Sequence, residues 1–299
     1  MVHETVAATN AVVTLDVGLP GIVWGWIITM NMWAKSIGTG VIFMLFYLMK
    51  RYPDAAKELR FPVTVVSIVF IHIFLLFTVI DLHQMFRFWH IFFHPHFTSA
   101  ITVGAWIVTI LVLVLFGMAY AVYMKKDDSL FSKLLVWAVI LAIPVTLYTA
   151  GIMAEATARE LWQMPTEAAQ MVLAATLTGS ATLLLMGRNL PYEAKRDLAV
   201  VLAFSALAAF ILYMSEMIFG PMKAEEVAAV LEFVKGNGEY TTMFWIGQVL
   251  AFIVPFVLVV LSVTNRSAGL LKVAALSAII GLWVVKHVWL VIPQLLPMS

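Results

Sequence analysis

Cysteine is absent from all 299 residues, which excludes disulfides, thiolate metal ligands and any cysteine-held iron–sulfur cluster within this chain. Any such cluster would have to sit in another polypeptide. Charge is scarce as well: Asp, Glu, Lys and Arg make up 12% of the sequence, with a formal net charge of +1. A water-soluble domain of this length needs far more charged surface. With 63% hydrophobic residues and a mean hydropathy of +0.99, the solvent for most of the chain is lipid. No alternating polar and apolar pattern of a membrane barrel appears. Runs such as Ile107 to Phe116 are continuously apolar, as a lipid-facing helix requires.

About 20 apolar residues in a helix cross the hydrocarbon core. On that measure the sequence predicts eight spans, at 22–48, 61–80, 98–123, 134–153, 166–187, 198–219, 241–263 and 273–292. The expected fold class is therefore all-α, a polytopic helix bundle forming one domain over 1–299. The first apolar stretch follows His3, Glu4 and Asp16 without a basic run, so no cleaved signal is expected and the first helix stays.

Basic residues are unevenly placed. Lys50, Arg51, Lys57 and Arg60 follow the first span. Lys125, Lys126 and Lys133 follow the third, Arg188, Lys195 and Arg196 the fifth, and Arg266 and Lys272 the seventh. Arg87, Arg159, Lys223 and Lys235 stand on the other side. The positive-inside rule then puts both termini outside the cytoplasm. The expected location is the cytoplasmic membrane of a prokaryote, with lipid around the chain and no nucleic-acid partner. Trp24, Trp26, Trp162, Trp245 and Trp289 fall near the outer interface and Trp137 near the inner one. Most of them read as an aromatic belt.

The embedded polar residues gather at the outer end. A rise of 1.5 Å per residue puts Asn31 roughly 14 Å below the outer end of the first helix. Lys35 follows one turn deeper on the same face. His72, Tyr148, Glu216, Gln248, Lys286 and His287 occupy the outer half by the same count, and Asp81, Arg87, His90, His94, His96, Glu155 and Arg159 lie in the adjoining loops. A lysine at the depth of Lys35 costs at least about 2.5 kcal/mol unless it pairs or deprotonates, and its stem scarcely reaches an interface. Lys35 is therefore expected to be functional.

Three segments carry a family likeness: WGWIITMNMWAKSIGTG in the first helix, DLHQMFRFWHIFFHPHFTSAITVGAW before the third, and LYTAGIMAEATARELWQMP after the fourth. Together they resemble the NrfD/PsrC family, the quinone-reactive membrane anchors of molybdopterin and iron–sulfur oxidoreductases such as polysulfide reductase. The likeness implies that Trp24 and Trp26 open the first helix, that Ser36, Gly38 and Gly40 form its small-residue patch, and that Asn31 is its inward polar position. It implies that Asp81 precedes an element formed by Arg87, Phe88 and His90. Tyr148, in a Tyr-x-x-Gly turn, matches the tyrosine that contacts the quinone head group, and Arg159 and Trp162 match an Arg-x-Leu-Trp element. Lys35 departs from the pattern, standing where polysulfide reductase has an apolar residue.

The resemblance implies an anchor that passes electrons between the quinone pool, menaquinone or ubiquinone, and an iron–sulfur subunit on the outer face beside a molybdopterin-bearing catalytic subunit. Asn31, Asp81, His90 and Tyr148 would meet the quinone; Lys35, Asp81 and Glu155 would move protons; Arg87, Arg159 and Trp162 would serve structure or docking. For Tyr148 without that match, an interfacial tyrosine is the simpler reading. Asn31 alone reads equally as a helix-to-helix hydrogen bond, and Glu216 as a solvated acid at a helix end. The outer-loop histidines are expected to donate hydrogen bonds or lie in the interface rather than hold a metal, and neither haem nor cluster is expected in this chain. The rival class, a haem b cytochrome, needs two facing histidines, for which only His72 and His287 lie within spans. Lys286 prompts a retinal protein, but no acidic counter-ion is expected at mid-membrane. A transporter is the remaining alternative, although no internal repeat is evident and only helices 2 to 5 suggest a four-helix unit. The stretch from Pro221 to Gly238 reads as a short amphipathic helix, either over the docking surface or in the interface.

Overall fold

A computed structural model describes residues 21–82, 84–265 and 267–296. Arg266 and the N-terminal His3, Glu4 and Asp16, on which parts of the topology and signal readings rest, lie outside the described residues. Among those described there are eight helices long and apolar enough to cross a membrane: α1 (Trp26–Arg51), α2 (Pro53–Asp81), α3 (Ala100–Lys125), α4 (Asp128–Glu155), α5 (Met164–Met186), α6 (Tyr192–Met222), α7 (Thr241–Thr264) and α8 (Ala268–Gln294). Each of the eight expected apolar runs falls within or closely over one helix, because an unbroken apolar run in lipid has to close its own backbone hydrogen bonds. The ends extend past the apolar runs wherever polar residues can reach water. Asp127 caps α4, its carboxylate accepting from the Ser129 and Leu130 amides at 2.9 Å each, which satisfies orphan donors at the helix start.

The helices pack in two four-membered rings. One comprises α1–α4 and the other α5–α8, and they adjoin where α1 meets α5 and α8 and where α4 meets α5. The expected grouping of helices 2 to 5 is thus corrected: α1 closes the first ring and α5 belongs to the second. The two rings meet along a small-residue seam on α1. A Cβ on Gly40 would fall 2.0 Å from the Ala175 carbonyl oxygen, and one on Gly179 would fall 2.2 Å from that of Gly40. Ser36 and Gly40 on α1 and Ala175 and Gly179 on α5 are each spaced four apart, so the two backbones touch along this stripe. At the opposite end of α1, Tyr47 and Tyr52 both donate to Asp197 of α6, at 2.8 and 2.7 Å, tying the rings a second time. Side chains such as Leu113, Phe204 and Ile280 on the outward faces are exposed, as lipid-facing residues are.

Two irregularities in the helices have chemical causes. Pro144 sits inside α4, one turn before Tyr148, and its missing N–H opens the ladder there. In α7 a π-turn at Val249–Ile253 precedes Pro255, and Gly281 of α8 approaches its backbone so closely that a Cβ would lie 2.2 Å from the Ala251 nitrogen. The amphipathic segment after α6 forms a helix, Glu225–Glu232. Val227, Val230, Leu231 and Val234 are all fully buried, so its apolar face closes onto the protein rather than lying in the interface.

Candidate functional site

Tyr148 stands between two cavities at the end of the first ring where α2 gives way to the loop before α3. The first, of about 140 Å³, is lined by Trp24, Ile28, Asn31, Thr78, Asp81, Tyr148 and Thr149 among others. The second, of about 110 Å³, is almost wholly apolar and is walled by α2, α3 and the following residues of the outer loop: Phe88, Ile91 and Phe92. Thr78, Leu82, Ile101 and Tyr148 line both. A mainly apolar pocket that carries Asn31, Asp81 and Thr149 on its wall thus continues into a greasy slot across one tyrosine ring.

The ring is held on three sides. Gly104 of α3 leaves it room, since a Cβ there would lie 2.6 Å from Tyr148 Cδ2. Phe74 meets it edge-on with centroids 5.9 Å apart. Lys35 Nζ lies 4.8 Å from the ring centroid, a cation–π distance. Thr78 and Thr149 stand beside the ring on the wall of the first cavity.

Lys35 is fully buried, as its depth implied, and donates to Thr149 Oγ1. Among the described residues it makes no ion pair. Asn31, 4% exposed, donates to Phe74 O at 3.2 Å and Thr78 Oγ1 at 2.6 Å. Both amide hydrogens therefore bind α1 to α2, and what it turns to the cavity is its carbonyl end. Asp81 ends α2, half-buried on the pocket wall.

The remaining candidates fall outside this pocket. His90 and His94 are exposed, with His90 packed on Trp89 at 3.9 Å. The cause is a one-turn helix, His90–Phe93, which turns Ile91 and Phe92 toward the slot and places His90 and His94, four apart, on the other face. Arg87 is exposed on the same loop. Glu155, Arg159 and Trp162 line a separate vestibule of about 410 Å³. There Glu155 accepts from the Ala100 amide at 3.3 Å, and Arg159 Nη1 donates to the Pro293 and Leu296 carbonyls at 2.6 and 2.7 Å, closing the end of α8. Trp24 lines both the vestibule and the pocket that holds Asn31 and Asp81, and its ring is stacked on Trp162 at 5.3 Å. Trp162 and Trp289 are 5% and 2% exposed, so these two are core residues and the belt reading holds only for outward tryptophans such as Trp26 and Trp137.

Two buried polar residues of the second ring, Glu167 and Gln170, escape the sequence reading, and a third, Glu216, reads there as solvated. Glu167 in the first turn of α5 is 1% exposed and within electrostatic range of Lys286, so an acid does occur in a span opposite this lysine, contrary to expectation. Gln170 is buried nearby, with an amide nitrogen that no protein group accepts. Glu216 is also buried, not solvated, and is ion-paired to Lys223 at 2.7 Å. The signal that could have found Glu167 is its spacing: Glu167, Gln170 and Met171 share the face that the apolar residues of α5 also share.

Among the described residues, the two histidines within spans meet different partners. His72 is exposed and packs on Phe116 of α3, while His287 bonds Thr29 at 3.0 Å and stacks on Trp283.

Residues 18–296 match the family described as polysulphide reductase, NrfD. The chain belongs to the NrfD family. That match spans nearly the whole sequence and makes the chain a multi-pass membrane subunit of the respiratory oxidoreductase class, whose members usually work with other oxidoreductase subunits. No curated protein matches it.

Proposed function

We propose that this chain is the quinone-binding anchor of a respiratory oxidoreductase in a prokaryotic cytoplasmic membrane. It exchanges electrons between menaquinone or ubiquinone and an iron–sulfur subunit docked on the outer face, which in turn serves a molybdopterin-bearing catalytic subunit. Quinol oxidation releases two electrons and two protons, and quinone reduction takes them up. The observation that carries this reading is Tyr148 at the junction of a pocket with Asn31, Asp81 and Thr149 on its wall and a slot that is almost wholly apolar. A flat ring with two carbonyl oxygens and an apolar tail needs such a combination: hydrogen-bond donors at one end, grease at the other.

In this reading Tyr148 donates to one quinone oxygen. Lys35, one hydroxyl away through Thr149, holds a proton beside it, and Asp81 on the pocket wall exchanges protons with the outer side. Asn31 fixes the α1–α2 wall rather than donating to the ligand. Phe88, Ile91 and Phe92 cover the slot, so the loop after α2 shields the ring from water while leaving a route to lipid for the tail. Glu155, Arg159 and Trp162 shape the vestibule, which shares Trp24 with the pocket, and Arg87 and His90 stand on the exposed loop after α2, available to a docked subunit.

A short-tailed quinone carrying a photoreactive group tests the site directly. Illumination of the full chain in membranes should label peptides containing Tyr148, Ile101 or Leu82, and excess unmodified quinone should prevent it. Labelling confined to α6 or α7 would remove the pocket from this role. The outer-face assignment rests on the distribution of basic residues; a reporter fused after Ser299 should be active only outside the cytoplasm, and a cytoplasmic signal would reverse it.

A further inference from the structure

The second ring buries charges that quinone binding does not use. Glu167 Oε1 accepts from Trp289 Nε1 at 3.1 Å, and one turn along, Lys286 Nζ lies 3.4 Å from Met171 Sδ. Glu167 and Met171 are four apart on α5, and Lys286 and Trp289 three apart on α8. These two rungs fix the carboxyl and the ammonium on facing sides of one contact. They are 1% and 3% exposed, and among the described residues neither forms a close ion pair. Apolar residues of the same bulk would pack α5 on α8 at less cost, since burying charge is rarely a gain in stability.

Polar groups continue from this pair in both directions. Inward, Lys286 lies within electrostatic reach of Lys35 on α1, which contacts Thr149 and Tyr148 of α4. Outward, Thr166 donates to Glu216 at 3.2 Å, and Glu216 pairs with Lys223, whose side chain is 29% exposed. From α6, Tyr213 also faces Glu167 and meets Trp289 edge-on at 5.0 Å. The Gln170 amide, one turn from Glu167 and without a protein acceptor, is the kind of buried group that ordered water satisfies.

We propose that Glu167 and Lys286 form a second proton-exchange site, through which a proton moves between Lys35 and the Glu216–Lys223 pair at the outer surface. The proposal rests on the quinone reading of Tyr148, which supplies or consumes the proton. Lys286 as the free amine takes a proton from the Lys35 ammonium. The Glu167 carboxylate takes it from Lys286 and becomes the acid, which releases it to water beside Glu216. Only N–H and O–H bonds are made or broken, no electron moves along this route, and the reverse order serves quinone reduction.

Redox-difference infrared spectroscopy on the full chain in lipid vesicles, with short-tailed benzoquinone or naphthoquinone reduced electrochemically, tests it. Wild type should show a protonated-carboxyl band that changes with quinone reduction and moves in heavy water. Glu167→Gln should lose that band while quinone affinity is kept, and Trp289→Phe, which removes only the indole donor, should shift the band without abolishing it. Trp289→Phe alone decides the matter if Glu167→Gln does not fold. An unshifted band in Trp289→Phe, or an intact one in Glu167→Gln, overturns the second site while the quinone pocket stands. A wild-type chain that binds neither quinone overturns the pocket instead.

Discussion

The two four-helix rings differ in what they enclose. The first, α1–α4, opens two cavities at one end with a tyrosine between them, and apart from Lys35 its buried polar groups are hydroxyls and one amide. The second, α5–α8, encloses acids and lysines among aromatic rings: Glu167, Glu216, Lys286, Tyr213 and Trp289. A site that must admit a ligand needs space, whereas a site that only passes charge needs close contacts and no space. Lys35 belongs to both, since it stands on α1 against Tyr148 yet senses Lys286 across the seam. The contrast teaches that the seam between the rings, more than either ring, decides whether the two sites act together.

Breaking the seam should have the largest effect. Gly179→Leu would force a side chain into the Gly40 backbone, where even a Cβ falls at 2.2 Å from a carbonyl oxygen. Overpacking of this kind costs roughly 1–3 kcal/mol, occasionally more, and a backbone contact cannot be relieved by a rotamer change. The chain should lose thermal stability in detergent and fail to accumulate in membranes. Normal accumulation and an unchanged melting temperature would show that the rings hold together without this crossing.

Lys35→Met keeps the bulk and removes the charge at the point the rings share. The protein should assemble, while quinone-coupled turnover falls on the order of a hundredfold, the lower end of what positioned proton transfer contributes, and its dependence on pH changes. Wild-type rates with an unaltered pH profile would make Lys35 a structural residue of the seam.

Much of this arrangement can be read from residue order, and the unreadable part has a definite cause. The spans are legible because lipid demands long apolar runs, and Asn31 and Lys35 are legible as neighbours because i, i+4 spacing is a property of any helix. Rotation about a helix axis is not written locally. Trp162 and Trp289 look like belt residues by position and turn inward only because Trp24, Glu167 and Tyr213 wait there as partners. Glu167 looks like an ordinary first-turn acid for the same reason, and Glu216 like a solvated one until Lys223 folds back over it. The pairing of α1 with α5 depends on Gly40 meeting Gly179 across 139 positions of sequence, a match between two stripes that neither stripe announces alone.

Tyr148→Phe should have the smallest effect and the sharpest meaning. It removes one hydroxyl and keeps the ring that Gly104 accommodates and Phe74 and Lys35 contact, so both cavities keep their shape. An ordinary hydrogen bond contributes about 0.5–1.5 kcal/mol, which translates into a roughly two- to tenfold loss of quinone affinity if binding alone is affected. The infrared signature of Glu167 should survive at saturating quinone, because the second ring is untouched. A loss far beyond tenfold would mean that the phenol also transfers a proton during turnover, joining Tyr148 to the route through Lys35. Unchanged quinone affinity would take the hydroxyl out of the site and leave the two cavities joined only by the face of its ring.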